Sequence, residues 1–189
     1  MKIIITFILS SLFLINSSPL INSNDYNVTS GSYVKITGTS SLHDWEEQVN
    51  KFTCDVSATI TEGNIDIESI SFIAQTKSIK SHSSIMDGKT YKALKSDAYP
   101  EIKFKSTNEL SCEIIGNNFK GTIKGVLSLA GQNHNVNVYL SGKVSDGKLV
   151  QLSGSKNLKM TDFGIDPPTA MLGTLTTGDD IKVIFNLKY

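Results

Sequence analysis

Apolar and polar residues alternate with a period of two along most of this chain. Phe119, Gly121, Ile123, Gly125, Leu127 and Leu129 alternate with Lys120, Thr122, Lys124, Val126 and Ser128. After Gly131-Gln132-Asn133, which reads as a hairpin turn, the rhythm returns. Val136, Val138, Leu140, Gly142 and Val144 stand against Asn137, Tyr139, Ser141 and Lys143. Such alternation predicts antiparallel strands with one face on a core. Further strand patterns cover 33–37, 49–60, 67–79, 101–110, 112–115, 149–157 and 181–187. Gly, Asn and Asp fill the short gaps between them, as tight turns require.

One segment breaks the rhythm. In residues 86–104, MDGKTYKALKSDAYPEIKF, Tyr91, Leu94 and Ala98 fall at helical spacing. Asp87 stands where an N-cap would help. Tyr99-Pro100 then ends the helix, because a residue before proline is driven out of the α region. The pattern predicts an all-β fold, an extended eight-stranded antiparallel barrel with one short helical insertion acting as lid or plug. A barrel of about eight strands encloses just enough room for side chains or one small ligand. Closure also removes exposed strand edges.

Alternation places Phe72, Ala74, Ile102, Phe104, Phe119, Ile123, Leu127, Val138 and Leu140 on the inward faces. Gly121, Gly125 and Gly142 share those faces and supply no packing volume. They serve either the curvature of a barrel or the space for a ligand, and both readings stay open.

The first residues read differently. Met1-Lys2 precede an apolar run over 3–15, broken only by Thr6, Ser10 and Ser11, and small and polar residues follow over 16–24. This is the layout of a secretory signal peptide. The run falls short of the roughly 20 residues of a membrane-spanning helix. The expected division is a signal peptide over 1–23, cut somewhere in 17–23, and one barrel domain over 24–189, periplasmic or secreted. Lys plus Arg and Asp plus Glu both number 18, so the net charge is zero and no footprint for nucleic acid appears. Every basic residue is lysine. Without a guanidinium fork, an anionic head group must be met by lysines, backbone N–H groups or hydroxyls.

Candidate chemistry is sparse. Cys54 and Cys112 each sit in a predicted strand. An exported protein meets an oxidising compartment, so a Cys54–Cys112 disulfide and two separate buried thiols both stay open. The pair is no C-x-x-C motif. His43, His82 and His134 show no metal-ligand spacing. No Gly-x-Ser-x-Gly elbow and no phosphate-cradling glycine loop is present. No catalytic residue, metal or cofactor, and hence no enzyme, is expected. His43 and Trp45 form either a polar cluster at the barrel mouth that touches a head group, or a structural corner in which Trp45 caps one barrel end.

Four segments carry a resemblance. They are Ser41-Leu42-His43-Asp44-Trp45, residues 86–104, Gly125-Val126-Leu127-Ser128-Leu129-Ala130-Gly131 with the following strand, and MTDFGIDPPTAMLG over 160–173. In this order, across nearly the whole chain beyond residue 23, the sequence resembles the YceI-like family of exported, lipocalin-like, polyisoprenoid-binding proteins. The resemblance implies an eight-stranded barrel with a helical insertion and a long apolar tunnel for a linear isoprenoid, such as an isoprenoid quinone or a prenyl phosphate. The absence of arginine departs from that picture and tilts the expectation towards a neutral or quinone head group. It makes the inward residues above the tunnel wall, adds Tyr91 and Leu94 from the helix, and implies ligand contact for Met160, Phe163, Met171 and Leu172. Methionines suit such irregular cavities. Lys89, Lys92 and Lys95 are expected on the helix's solvated face. The implied function is non-enzymatic binding or transport of an isoprenoid lipid, with no nucleic-acid partner and no stable membrane anchor. A carrier of another small lipid, such as a fatty acid or amide, and a filled barrel acting as a stress or interaction protein are the alternatives.

Overall fold

The computed structural model describes residues 23–170 and 173–189. The expected signal peptide, apart from Ser23, lies outside the described residues, as do Met171 and Leu172. The strands are β1 (Asn24–Asn27), β2 (Tyr33–Ser40), β3 (Trp45–Val49), β4 (Phe52–Thr61), β5 (Asn64–Gln75) and β6 (Ile79–Lys80). Helix α1 (Ser84–Ala93) follows. Then come β7 (Glu101–Ser106), β8 (Leu110–Glu113), β9 (Asn118–Leu129), β10 (Gln132–Ser145), β11 (Lys148–Lys159), β12 (Thr169–Ala170) and β13 (Leu175–Lys188). They pair antiparallel in one curled sheet, ordered β1-β4-β5-β7-β9-β10-β11-β13-β2-β3-β6. Off that path, β8 pairs with β5 and β12 with β13.

The thirteen strands of the described residues reduce to the expected eight runs because three runs are kinked and the short β1 and β12 only flank β4 and β13. The expected strand over 49–60 breaks at Asn50-Lys51 into β3 and β4. The one over 67–79 breaks at a 3-10 turn, Thr76–Ser78, into β5 and β6. Val49 pairs with Ile79, and beyond the kink Phe52 pairs with Ala74. The N–H of Asn50 donates to the Ser78 carbonyl and that of Gln75 to the Lys51 carbonyl, each at 3.0 Å. This single bent hairpin therefore belongs to both ends of the strand order and draws the sheet into a barrel. β7 and β8 both pair with β5 and make one broken run. The eight runs are β2, β3–β4, β5–β6, β7–β8, β9, β10, β11 and β13.

Three sequence expectations change here. The helix is capped by Ser83, whose backbone is extended and whose Oγ accepts the Met86 N–H at 3.4 Å. Asp87 turns inward instead and accepts the N–H and hydroxyl of Ser81 at 2.7 and 2.8 Å, with Lys80 Nζ at 3.2 Å. Those donors hold its carboxyl below the usual range.

The inward glycines hold no ligand space of their own. A Cβ on Gly125 would lie 2.4 Å from the Phe104 ring, one on Gly142 2.2 Å from the Phe119 ring, and one on Gly121 2.7 Å from Cys112 Sγ. Each glycine lets a side chain of a neighbouring strand lie against bare backbone.

Cys54 and Cys112 are free and buried. Cys54 stands opposite Phe72 and Cys112 opposite Ile65, on the two flanks of β5. Seven residues of strand separate those levels, about 23 Å at the usual rise. A disulfide needs Cα atoms within about 7 Å, so the two thiols do not bridge.

Candidate functional site: a hollow half-barrel under a helix

The tight turns at Gly63 and Gly147 lie at one end of the barrel, and α1 and the segment after β11 lie at the other. At the turn end Val56, Ala58, Ile65, Ile67, Phe119, Val144 and Leu149 are all 8% exposed or less and fill the interior. Cys54, Ile70, Ile123, Leu140 and Leu152 form a floor above them. Beyond it opens a cavity of about 440 Å³. That falls in the size range of small-molecule sites.

Most of the expected wall is present. Phe72, Ala74, Ile102, Phe104, Ile123, Leu127, Val138 and Leu140 border the cavity, as do Leu94 after the helix and Met160 after β11. Ile36 of β2 and Val183 and Phe185 of β13 complete the wall. Their alternation was legible, although the sequence reading assigned them no place in it.

Three expected residues lie elsewhere. Phe119 is in the filled end, its ring across Gly142. Tyr91 stays outside the cavity because its hydroxyl finds backbone acceptors there, donating to the carbonyls of Lys77 and Ile79 at 2.9 Å each. Phe163 is buried with Leu129, Ala130, Met160 and Ile165, its ring against His134 at 4.7 Å between centroids. It plugs the turn after β11 rather than lining the cavity. Met171 and Leu172 are outside the described residues.

His43 and Trp45 both border the mouth. Trp45 has the geometry of a corner: its indole N–H donates to the Thr39 carbonyl at 3.0 Å and its ring covers Gly38. His43 is exposed, with Nδ1 2.7 Å from the Asp44 carbonyl. Leu42 and Ile85 stand at the rim, 66% and 74% exposed. Lys89 leaves the solvated face expected for it. Its Nζ donates to the Thr169 carbonyl at 2.6 Å and ties the helix to β12 across the mouth.

Glu47 and Lys156 stand on the cavity wall, although the expected wall held neither. Glu47 is 3% exposed, and the Thr90 hydroxyl donates to its Oε1 at 2.6 Å. Burial raises its carboxyl above the usual range. Lys156 lies on the inward side of β11, between Gly154 and Leu158, and also borders the cavity. The signal was there in Trp45-x-Glu47-x-Val49 and Leu152-x-Gly154-x-Lys156-x-Leu158. Period-two alternation points both residues inward, against the usual habit of charges. At the floor, Cys54 receives a contact from the Tyr189 hydroxyl at 3.6 Å, and burial pushes its thiol up to about 11. A thiol so placed is unreactive. Among the described residues, no three His, Cys, Asp or Glu side chains come together to hold a metal ion.

The family model of the YceI-like domain matches residues 21–189. Solved structures of the same fold include BcnA of Burkholderia cenocepacia, 16% identical, covering 85% of this chain and 98% of its own, with a TM-score of 0.64. A polyisoprenoid-binding domain from Saccharophagus degradans, implicated in plant cell wall breakdown, is 11% identical over 88% of this chain and 97% of its own, with a TM-score of 0.65. The YceI protein of Campylobacter jejuni is 19% identical over 76% of this chain and 81% of its own, with a TM-score of 0.52. At these identities the likeness is one of fold. No curated protein matches the sequence.

Proposed function

This chain belongs to the YceI-like family, and from that premise we propose that it binds or carries an amphipathic isoprenoid lipid in the hollow half of its barrel. An isoprenoid quinone and a prenyl phosphate are the two ligand types this reading names. The observation that carries it is the cavity of about 440 Å³ with an almost wholly apolar wall. The polyisoprenoid-binding domain of the same fold adds support. A tail of some forty carbons at roughly 0.3 kcal/mol per atom reaches about 12 kcal/mol, near nanomolar. Tail burial therefore suffices for tight binding with few polar contacts. The reading includes no chemical step. It places the protein in the periplasm or outside the cell, delivered by the signal peptide read at the N-terminus. A cavity of this size weighs against a filled barrel without ligand.

Native mass spectrometry of the exported protein, with organic extraction of its cargo, tests the proposal. The expected result is an added mass matching a prenyl chain or a quinone. An added mass matching a fatty acid or its amide replaces the isoprenoid with that lipid. A ligand-free mass that persists after incubation with isoprenoid quinones overturns the carrier reading.

A further inference from the structure

One inward rung of the sheet crosses the cavity wall at mid-depth. The register sets Glu47 beside Ile36, Ile36 beside Val183, and Val183 beside Lys156. All four side chains border the cavity. On β11, Lys156 is four residues from Met160 near the mouth and four from Leu152 at the floor, about 13 Å each way at the usual strand rise. An otherwise apolar chamber thus has polar groups halfway down, on walls three strands apart.

The two ends of the rung differ in how they are satisfied. Glu47 has the Thr90 hydroxyl. Lys156 has no hydrogen bond or ion pair among the described residues. The other two lysines at the cavity are engaged: Lys89 with the Thr169 carbonyl, and Lys159 with Asp179 and Asp180. Glu47 is a poor counter-ion for Lys156. Three strand spacings put about 14 Å of sheet between them, and burial opposes a negative charge on Glu47. Lys156 is half-buried, and its side chain stands on an apolar wall without a counter-charge beside it. A ligand that brings an opposite charge to this wall gains an ion pair there that a neutral ligand lacks.

We propose that Lys156 anchors an anionic oxygen group, a phosphate or carboxylate, on the lipid that the cavity holds. The inference rests on the lipid-binding reading and deepens it by naming the ligand as an acidic lipid. The ammonium offers a point charge and three donors on a flexible stem, which suits a single anionic group without the fork of an arginine. It also reverses the tilt towards a neutral head group that the absence of arginine gave.

Titration calorimetry on delipidated protein tests the anchor with three probes of equal chain length: hexadecyl phosphate, hexadecanoate and hexadecanol. The wild type is expected to bind at least one of the two acids about tenfold or more tighter than the alcohol. Which acid wins decides between phosphate and carboxylate. Lys156→Met keeps the stem length and apolar fill while removing the charge, so it is expected to erase that preference, weakening the acids about tenfold more than it changes hexadecanol binding. Lys156→Arg keeps the charge and is expected to keep the preference, which separates loss of charge from loss of packing. If the wild type binds acid and alcohol alike, or Lys156→Met keeps the preference, the anchor is wrong and the lipid reading stands. If none of the three probes binds, the lipid reading fails and takes the anchor with it.

Discussion

The two ends of this barrel obey the same alternation and hold different things. Val144 and Val138 are both inward on β10, three inward positions apart. Val144 is 8% exposed in a packed interior with Phe119, Ile65 and Ile67, whereas Val138 faces the cavity. Alternation therefore reports the direction of a side chain, and the opposing strands decide whether it meets another. At the hollow end the aromatic rings lie along the wall. Trp45 covers Gly38, Phe104 covers Gly125 and Phe185 covers Gly154. A ring flattened over a neighbour's bare backbone does not reach the middle of the barrel. Phe119 lies over Gly142 in the same way at the filled end, so this packing sets where a ring lies, and the residues facing it across the barrel decide whether the space beyond is filled.

The sharpest break of this comparison is to delete one ring from each end. Phe119→Ala removes a side chain 2% exposed and leaves a void among packed neighbours. The expected loss is about 3–5 kcal/mol in denaturant unfolding. Phe104→Ala acts on a half-buried ring beside a space that is already open, so roughly half that loss is expected. Lipid affinity should follow the opposite order, falling with Phe104→Ala and holding for the folded fraction of Phe119→Ala. Equal stability losses with equal affinity losses would erase the distinction between the ends.

A second pair reverses the sign of the change. Val144→Trp forces volume into the filled end and is expected to cost about 1–3 kcal/mol. Val138→Trp puts the same volume into the cavity. It is expected to leave stability within about 1 kcal/mol of the wild type while lowering lipid affinity tenfold or more. Thermal unfolding and lipid titration on both variants check this. A Val138→Trp protein as destabilised as Val144→Trp would mean the hollow end collapses when empty.

Much of this architecture was legible in the sequence. Strand directions, the helical insertion and eight of the nine inward wall residues follow from period and spacing, with Phe119 the exception. The division into filled and hollow ends was not, because it depends on which inward residues face each other across the barrel. Tyr91 and Phe163 illustrate a second limit. The family resemblance implied a cavity place for both, but the backbone acceptors of Lys77 and Ile79 hold one outside and His134 packs the other under a turn. Glu47 and Lys156 illustrate a third, of habit rather than information. Their positions in the alternation point inward, and the general rule that charges stay outside concealed them.

Glu47 supplies the smallest effect and a test specific to the hollow end. Its folded carboxyl lies above the ordinary value of 4.5, chiefly through burial, so the folded state holds the proton more tightly than the unfolded chain does. Stability then falls as pH rises, beginning near the ordinary value and finishing above the raised one. Asp87, whose carboxyl is held below its ordinary 3.8 by Ser81, acts with the opposite sign in a separate window. Its contribution is present above 3.8 and is lost as pH falls. Glu47→Gln keeps an acceptor for the Thr90 hydroxyl and removes the ionisation. The expected result is a variant about 1 kcal/mol more stable than the wild type at neutral pH. That advantage should shrink as pH is lowered towards 4.5, measured by denaturant unfolding of delipidated protein at each pH. A constant difference between the two proteins across that range would show that Glu47 stays ionised, with water reaching it through the open mouth. Glu47 would then carry a negative charge in the same chamber as Lys156, about 14 Å of sheet away, and one of the two reasons for expecting the negative charge from a ligand would be gone.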